Sequence, residues 1–199
     1  MGDSKDDEAR AFVFKNRGLL LTFPAAILAF CGRPSARSVA LGLPLAFAGE
    51  LIRCWAVGYS GATTRHDAVT APKLVTGGPY AYVRNPLYIG NFVTATGFAI
   101  AFTGRNSALA RAALVGGSLL AMGAVYAAIV PHEEAFLRSR FGEEFERYCK
   151  MVPRILPQLE PAPGGAGEWQ PEAVKVAESK TFLTFGAMLL ALVLRARKA

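Results

Sequence analysis

Glu50 and Arg53 are the first of three polar groups in this 199-residue chain whose residue types and spacing could support chemistry. They lie three residues apart within an otherwise apolar stretch, so on a helix they share one face. A charged side chain near the centre of a bilayer costs about 2.5–3.5 kcal/mol if it stays unpaired. We therefore expect the two residues either to pair with each other and pack helices together, or to line the edge of a reaction site.

The second polar group is the segment LVTGGPYAYVRNPLYIG at residues 74–90. Its glycines and prolines predict a shaped turn, and Pro86 suits the first turn of a helix. A helix N-terminus beside Arg84 and Asn85 would attract a carboxylate or a phosphate. A purely structural interpretation stays open, because the tyrosines of this segment are also typical of an aromatic belt at a lipid interface.

The third polar group begins with His132, Glu133 and Glu134 at the end of an apolar stretch and continues to residue 148. It predicts a helix, a break at Gly142 and a short amphipathic helix. Mixed charges usually form a solvated face, but these two glutamates follow directly on the apolar stretch. We interpret His132 as structural, because it has no partners at ligand spacing. The three cysteines have unrelated spacings, so we predict no metal site.

The elements that must position these groups follow from the distribution of charge. The chain is 52% hydrophobic and 19% charged, which disfavours disorder. Five stretches contain only two charged residues, Glu50 and Arg53, and about 20 apolar residues cross a bilayer as a helix. The fold class predicted is an all-α polytopic transmembrane helix bundle of about five helices. The stretches cover residues 18–32, 38–59, 85–104, 112–131 and 181–194. The last is short enough to be a tilted span, a re-entrant piece or an interfacial helix.

The basic residues predict how the bundle is oriented. With a cytoplasmic N-terminus, 14 Lys and Arg residues face the cytoplasm and seven face the other side, which agrees with the positive-inside rule. The basic C-terminal tail fits this orientation poorly and is a second reason to question the last span. The pI near 9.6 does not indicate nucleic acid, because no nucleic-acid-binding motif is present. Anionic membrane lipids are the simpler partner.

The sequence predicts a division of the chain into four segments. Residues 1–60 are predicted to hold the first two membrane helices, and residues 61–157 a catalytic core. Residues 158–180 form a linker rich in proline and glycine, and residues 181–199 an apolar helix with a basic tail.

Several of these segments together resemble a known family. GELIRCWAVGY at 49–59, GPYAYVRNPLYIG at 78–90, EEAFLRSRFGEEFERY at 133–148 and VPRILP at 152–157 are similar to the isoprenylcysteine carboxyl methyltransferases. Members of that family are integral membrane enzymes that use S-adenosylmethionine. The resemblance runs from about residue 45 to 157, and its motifs occur in the family's order.

The resemblance implies a cofactor site at the cytoplasmic membrane face. By position, the cofactor contacts would be Lys73, Leu74, Val75, Tyr80, Asn85, Pro86, Leu87 and Tyr88, with Arg65 a weaker candidate. Glu133 matches the acidic residue at the family's acceptor site and would be catalytic together with Arg53. Glu50 and Glu134 would contact the acceptor, a small lipophilic molecule with a carboxylate, or an amine or thiol.

Two positions depart from the family's pattern. Asn85 replaces a histidine, and it can still donate and accept hydrogen bonds but carries no charge. Ile129 stands one turn before Glu133, where the eukaryotic enzymes have an arginine that would orient a substrate carboxylate.

Two other functional classes stay open from the sequence. Membrane sterol and isoprenoid reductases resemble the same core but use NADPH, and they usually have more helices before it. A non-enzymatic membrane scaffold would need only the aromatic belt and the acidic helix. Methyl transfer to a membrane lipid extract would separate these classes.

Overall fold

The computed structural model describes residues 2–61 and 71–198, with side chains from residue 9 onward. In these ranges the chain forms helices and no strands, which confirms the all-α prediction. The helices are α1 (Gly2–Cys31), α2 (Ala36–Ser60), α3 (Pro86–Phe102), α4 (Ala108–Phe141), α5 (Glu143–Met151), α6 (Pro171–Ala177) and α7 (Ser179–Lys198), with a 3-10 helix at Gly78–Ala81.

The described helices confirm a polytopic membrane bundle. Residues Ala9–Cys31 of α1, together with α2, α4 and α7, are long and apolar enough to cross a bilayer, and α3 is a shorter apolar helix of 17 residues. The last apolar stretch lies in α7, a continuous helix of 20 residues. Near its start Thr181 contacts Arg53 of α2, and near its end Arg195 contacts Gly32 after α1, so α7 runs the length of the bundle.

Helices α2 and α3 pack closely because small residues face each other. A Cβ at Gly97 of α3 would overlap the backbone of Ala46 of α2, and a Cβ at Gly49 would overlap Thr94. Small residues at a membrane-helix interface let the two backbones approach. One further turn along, Gly90 lies against the Arg53 side chain, so the close packing also sets the position of Arg53 relative to α3.

Two apolar clusters attach the other helices. Phe14 of α1 packs with Tyr126, Ile129 and Val130 of α4. Leu28 at the opposite end of α1 belongs to a larger cluster that joins α1, α2, α3 and α7, and its fully or nearly buried members include Ala46, Phe98, Phe102, Phe185 and Leu192. Beside the first of these clusters, residues of α1 and α7 line a cavity.

The segment after α5 lies along the loop before α3. Residues Thr76 and Gly77 both donate their backbone N–H to the carbonyl of Ala166, at 3.1 and 2.8 Å. The N–H of Ala166 donates to Thr76 Oγ1 at 2.9 Å. At the end of α2 the Trp169 indole packs directly on Gly58, where a Cβ would collide with the ring. These contacts tie residues of the Pro/Gly-rich segment to both α2 and the loop.

Candidate active site

A cavity of about 610 Å³ lies at one end of the bundle, where the loop before α3 meets the ends of α4 and α5. It brings together most of the residues singled out in the sequence. Those that line it are Arg53, Lys73, Leu74, Val75, Tyr80, Asn85, Pro86, Leu87, Tyr88, Glu133 and Glu134. Glu50 is buried beside Arg53 and does not line the cavity. Arg65 lies outside the described residues.

The start of α3 presents Asn85 and Pro86 to the cavity. Pro86 is the first residue of α3, as its fixed φ and missing N–H predict. The segment after α5 holds the preceding turn, because Asn85 Nδ2 donates to the carbonyl of Arg154 at 3.1 Å and the Arg84 N–H to that of Pro153 at 2.9 Å. The turn is therefore anchored on its outer side while its inner side faces the cavity.

Glu133 has a direct partner in the cavity wall. The hydroxyl of Tyr88 donates to Glu133 Oε1 at 2.7 Å. The Tyr88 ring lies against the Tyr126 ring at 4.4 Å between centroids, and Asn91 Nδ2 donates to the Tyr126 hydroxyl at 2.6 Å. Tyr126 and Glu133 are seven residues apart on one face of α4. Along that wall Tyr88, Tyr126 and Glu133 thus form a continuous polar surface, which we call the tyrosine strip.

Arg53 both lines the cavity and forms ion pairs, and its place at a reaction site stays a prediction. Its Nε lies 3.9 Å from the Glu50 carboxylate. The main partner is Glu178, whose two oxygens accept from Nη2 at 2.9 and 2.8 Å. Arg53 also bonds Asn91, which joins it to the tyrosine strip. Sequence reasoning missed Glu178, which lies 125 residues away.

Glu134 also lines the cavity, but its oxygens are engaged by two arginines. Arg84 Nε donates to one oxygen at 3.0 Å, and Arg154 Nε donates to the other at 3.0 Å. Arg84 also donates to the carbonyl of Val152 at 2.8 Å. Glu134 therefore ties α4 to the loop before α3 and to the segment after α5. Its role in acceptor binding stays a prediction.

Two tyrosines outside the membrane helices remain neutral phenols. Burial raises the pKa of Tyr80 to about 12. Burial also raises the pKa of Tyr148, whose hydroxyl donates to the carbonyl of Tyr80 at 2.8 Å. Neither group supplies a phenolate near neutral pH, so at this edge the cavity offers aromatic faces and neutral hydroxyls.

The structure adds residues that sequence reasoning did not assign to the site. Arg17 of α1 lines the cavity and lies close enough to Glu133 and Tyr88 to act on them electrostatically. Its Nη1 donates to the Phe14 carbonyl at 2.6 Å. Asn91 carried a usable signal, because it is an amide within an apolar stretch. Tyr126 carried none, because a tyrosine suits a membrane helix equally well.

The described residues contain no group of three or more His, Cys, Asp and Glu side chains that could hold a metal ion. The three cysteines are free, and none of them lines the cavity. The charged groups available to a ligand there are therefore those of basic side chains and carboxylates.

The chain is similar to known proteins over its central part. Residues 38–144 match the family model for phospholipid methyltransferases. A probable protein-S-isoprenylcysteine O-methyltransferase of Oryza sativa is 32% identical over 60% of this chain and 61% of its own length. The protein-S-isoprenylcysteine O-methyltransferase of Schizosaccharomyces pombe is 32% identical over 56% of this chain and 46% of its own.

A third relative has a different kind of name. A cobalt-zinc-cadmium resistance protein of Cupriavidus metallidurans is 32% identical over 60% of this chain and 47% of that protein. The chain thus spans between about half and three-fifths of the length of these relatives. No solved structure matches the chain significantly.

Proposed function

Because the chain belongs to the phospholipid methyltransferase family, we propose that it is a membrane-embedded enzyme that transfers a methyl group from S-adenosylmethionine to a small lipophilic acceptor. The relatives named as isoprenylcysteine methyltransferases confirm the family resemblance seen in the motifs. The observation that carries the proposal is that the loop at 73–88 and Glu133, far apart in sequence, line one cavity.

The residues of the cavity fit the proposed cofactor. A volume of about 610 Å³ is within the usual range for small-molecule sites. Lys73 would bind the carboxylate of S-adenosylmethionine, Asn85 offers amide hydrogen bonds, and Tyr80 and Tyr88 offer aromatic faces to adenine or to a cation. When bound, the cofactor supplies a methyl group on a positively charged sulfur.

Glu133 would act as a base toward the molecule that is methylated. Methyl transfer is an in-line displacement, so the protein contributes mainly alignment and exclusion of water. A carboxylate acceptor needs no base. An amine or a thiol must lose its proton. The Glu133 carboxylate in the cavity wall, positioned by the Tyr88 hydroxyl, would take up that proton.

Arg53 would position the wall rather than react. Its contacts with Asn91 of α3, with Thr181 of α7 and with Glu178 between α6 and α7 join these elements to α2 behind the tyrosine strip. This arrangement keeps Tyr88 and Glu133 in one geometry while ligands enter and leave.

The cavity would face the cytoplasm, where S-adenosylmethionine is available, and the acceptor would enter sideways from the bilayer. The larger number of basic residues at the cavity end of the bundle supports this orientation.

Calorimetry on the detergent-purified chain tests the cofactor. We expect S-adenosylmethionine to bind. Glu133→Gln removes a carboxylate that would attract the positively charged sulfur of the cofactor, and Tyr88→Ala removes an aromatic face, so each variant should weaken binding roughly tenfold. Glu144→Gln is the matched control, because Glu144 is exposed on α5 and lies outside the cavity. Folded wild-type protein that fails to bind would contradict the proposal.

Radiolabelled methyl transfer to a total membrane lipid extract tests the reaction, and mass spectrometry of the labelled product identifies the acceptor. Labelling above background that disappears in Glu133→Gln would support the proposal. Background labelling by protein that binds NADPH would favour a reductase, and background labelling with neither ligand bound would favour a scaffold.

A further inference from the structure

The end of the bundle opposite the cavity carries the net charge of the whole chain. Residues 31–37, 103–111 and 194–198, which we call the basic end, contain seven of the 22 basic residues and none of the 15 acidic ones. The 15 basic residues elsewhere balance the 15 acidic residues. The basic end alone therefore accounts for the formal net charge of +7.

Hydrogen bonds join the three segments into one surface. The Arg105 N–H donates to the carbonyl of Arg33 at 2.7 Å, and the Arg33 N–H donates to Asn106 Oδ1 at 2.8 Å. The end of α7 joins them, because Arg195 Nη2 donates to the carbonyl of Gly32 at 2.7 Å. The positive charges are thus held together and cannot separate as independent loops would.

Two basic side chains at this end bond backbone carbonyls at the ends of helices. Arg195 bonds the end of α1, and Arg111 donates to the carbonyls of Thr103 and Gly104 at the end of α3, at 3.1 and 2.9 Å. Arg33, Arg37, Arg105, Arg197 and Lys198 are exposed. An exposed basic cluster of this size without an Asp or Glu residue attracts anions.

A second cavity, of about 490 Å³, lies in the basic end. Arg33, Asn106 and Ser107 form its polar edge, and Ala110, Ala113 and Leu114 of α4 form an apolar wall. Polar groups at the helix ends beside an apolar wall match a phospholipid, which has a charged headgroup joined to hydrocarbon. A free phosphate would need no such wall.

We propose that the basic end binds anionic phospholipids, with the phosphate headgroup at the exposed arginines and the acyl chains beside α4. Basic residues beside membrane helices bind acidic headgroups in this way. The site is separate from the cavity of the proposed reaction, so it would retain lipid whether or not the chain transfers methyl groups.

Native mass spectrometry of the detergent-purified chain tests this proposal, with dioleoylphosphatidylglycerol and dioleoylphosphatidylcholine as matched probes. We expect wild type to retain the glycerol lipid preferentially, and less so at raised salt. A triple variant, Arg33→Gln, Arg37→Gln and Arg105→Gln, should bind it on the order of a hundredfold more weakly, at roughly fivefold per arginine.

The control triple variant replaces exposed basic residues at the other end: Arg140→Gln, Arg147→Gln and Lys150→Gln. It should keep the preference. Equal retention of the two lipids by wild type, or equal losses in the two triple variants, would overturn the proposal. An increase in Tm with inorganic phosphate as large as that with phosphatidylglycerol would also overturn it, since it would indicate a site for a free anion. Circular dichroism checks that each variant is folded.

Discussion

At the scale of single residues, the site depends on groups whose partners determine what they can do. Glu133 accepts from Tyr88, whereas the adjacent Glu134 is held by Arg84 and Arg154. The two neighbouring carboxylates of α4 therefore have different partners and different roles. The motif identified both glutamates, but only the packed structure separates the one with a tyrosine partner from the one that ties segments together.

The Tyr88 hydroxyl offers a residue-scale prediction. Tyr88→Phe keeps the ring against Tyr126 but removes the donor to Glu133, so we expect methyl transfer to the lipid extract to fall roughly tenfold to a hundredfold. Tyr82→Phe is the control, because the Tyr82 ring packs against Trp55 at a tilt and lies outside the cavity. Equal activities in the two variants, measured as initial rates, would show that the Tyr88 hydroxyl has no part in the reaction.

At the scale of elements, small residues and buried ions set how the helices meet. The Gly49–Thr94 and Gly97–Ala46 contacts bring α2 against α3, and the Arg53–Glu178 pair joins α2 to the residue just before α7. Hydropathy predicted α2 and α3 as spans and left α7 open between a tilted span, a re-entrant piece and an interfacial helix. It contains no information on their rotation about their own axes, which decides that Arg53 faces Glu178 as well as Glu50.

Close packing of α2 on α3 predicts the effect of adding one methyl group. Gly97→Ala would place a Cβ against the Ala46 backbone, and overpacking of this kind typically costs about 1–3 kcal/mol. Gly116→Ala in α4 is the control, because its Cβ would have no neighbouring heavy atom within 4 Å. Thermal unfolding in detergent should show a lower Tm for Gly97→Ala only. A Tm equal to wild type would mean that the two helices can separate slightly at no cost.

The buried ion pair gives a second prediction for the elements. Glu178 is 1% exposed, and Glu178→Ala leaves the Arg53 charge without its main partner, so we expect a loss of stability of about 3–5 kcal/mol. Glu172→Ala is the control, because Glu172 pairs with Lys175 on the exposed surface of α6. Denaturant unfolding measures both. If the two variants were equally stable, α7 would be held by its apolar contacts alone.

At the scale of the whole molecule, the charges divide the bundle into two unlike ends. The cavity end has basic and acidic residues in a mixed arrangement, with ion pairs such as Arg84–Glu134, whereas the basic end has no acidic residue at all. Because α7 is continuous, it places the basic C-terminal tail at the basic end. The poor fit of this tail to the orientation predicted from the basic residues therefore does not mean that the last helix stops short.

Cysteine labelling tests the proposed orientation of the bundle. Cys31 is exposed at the basic end, so in a variant that keeps only this cysteine we expect a membrane-impermeant maleimide to label intact cells. Lys150→Cys in a background without native cysteines should react only after permeabilisation, because residue 150 is exposed on α5 near the cavity. The opposite pattern would place the cavity on the outer side of the membrane.

The sequence by itself determined the membrane helices α1 to α4 and the loop before α3. Both follow from local properties: the length of each apolar stretch, and the turn-forming glycines and prolines beside Arg84. The tertiary structure alone decided that Arg17 reaches the cavity, that Glu178 is the main partner of Arg53, and that Ala166 binds the loop at Thr76. These contacts depend on helix rotation and on close approach of distant segments, which no local composition encodes.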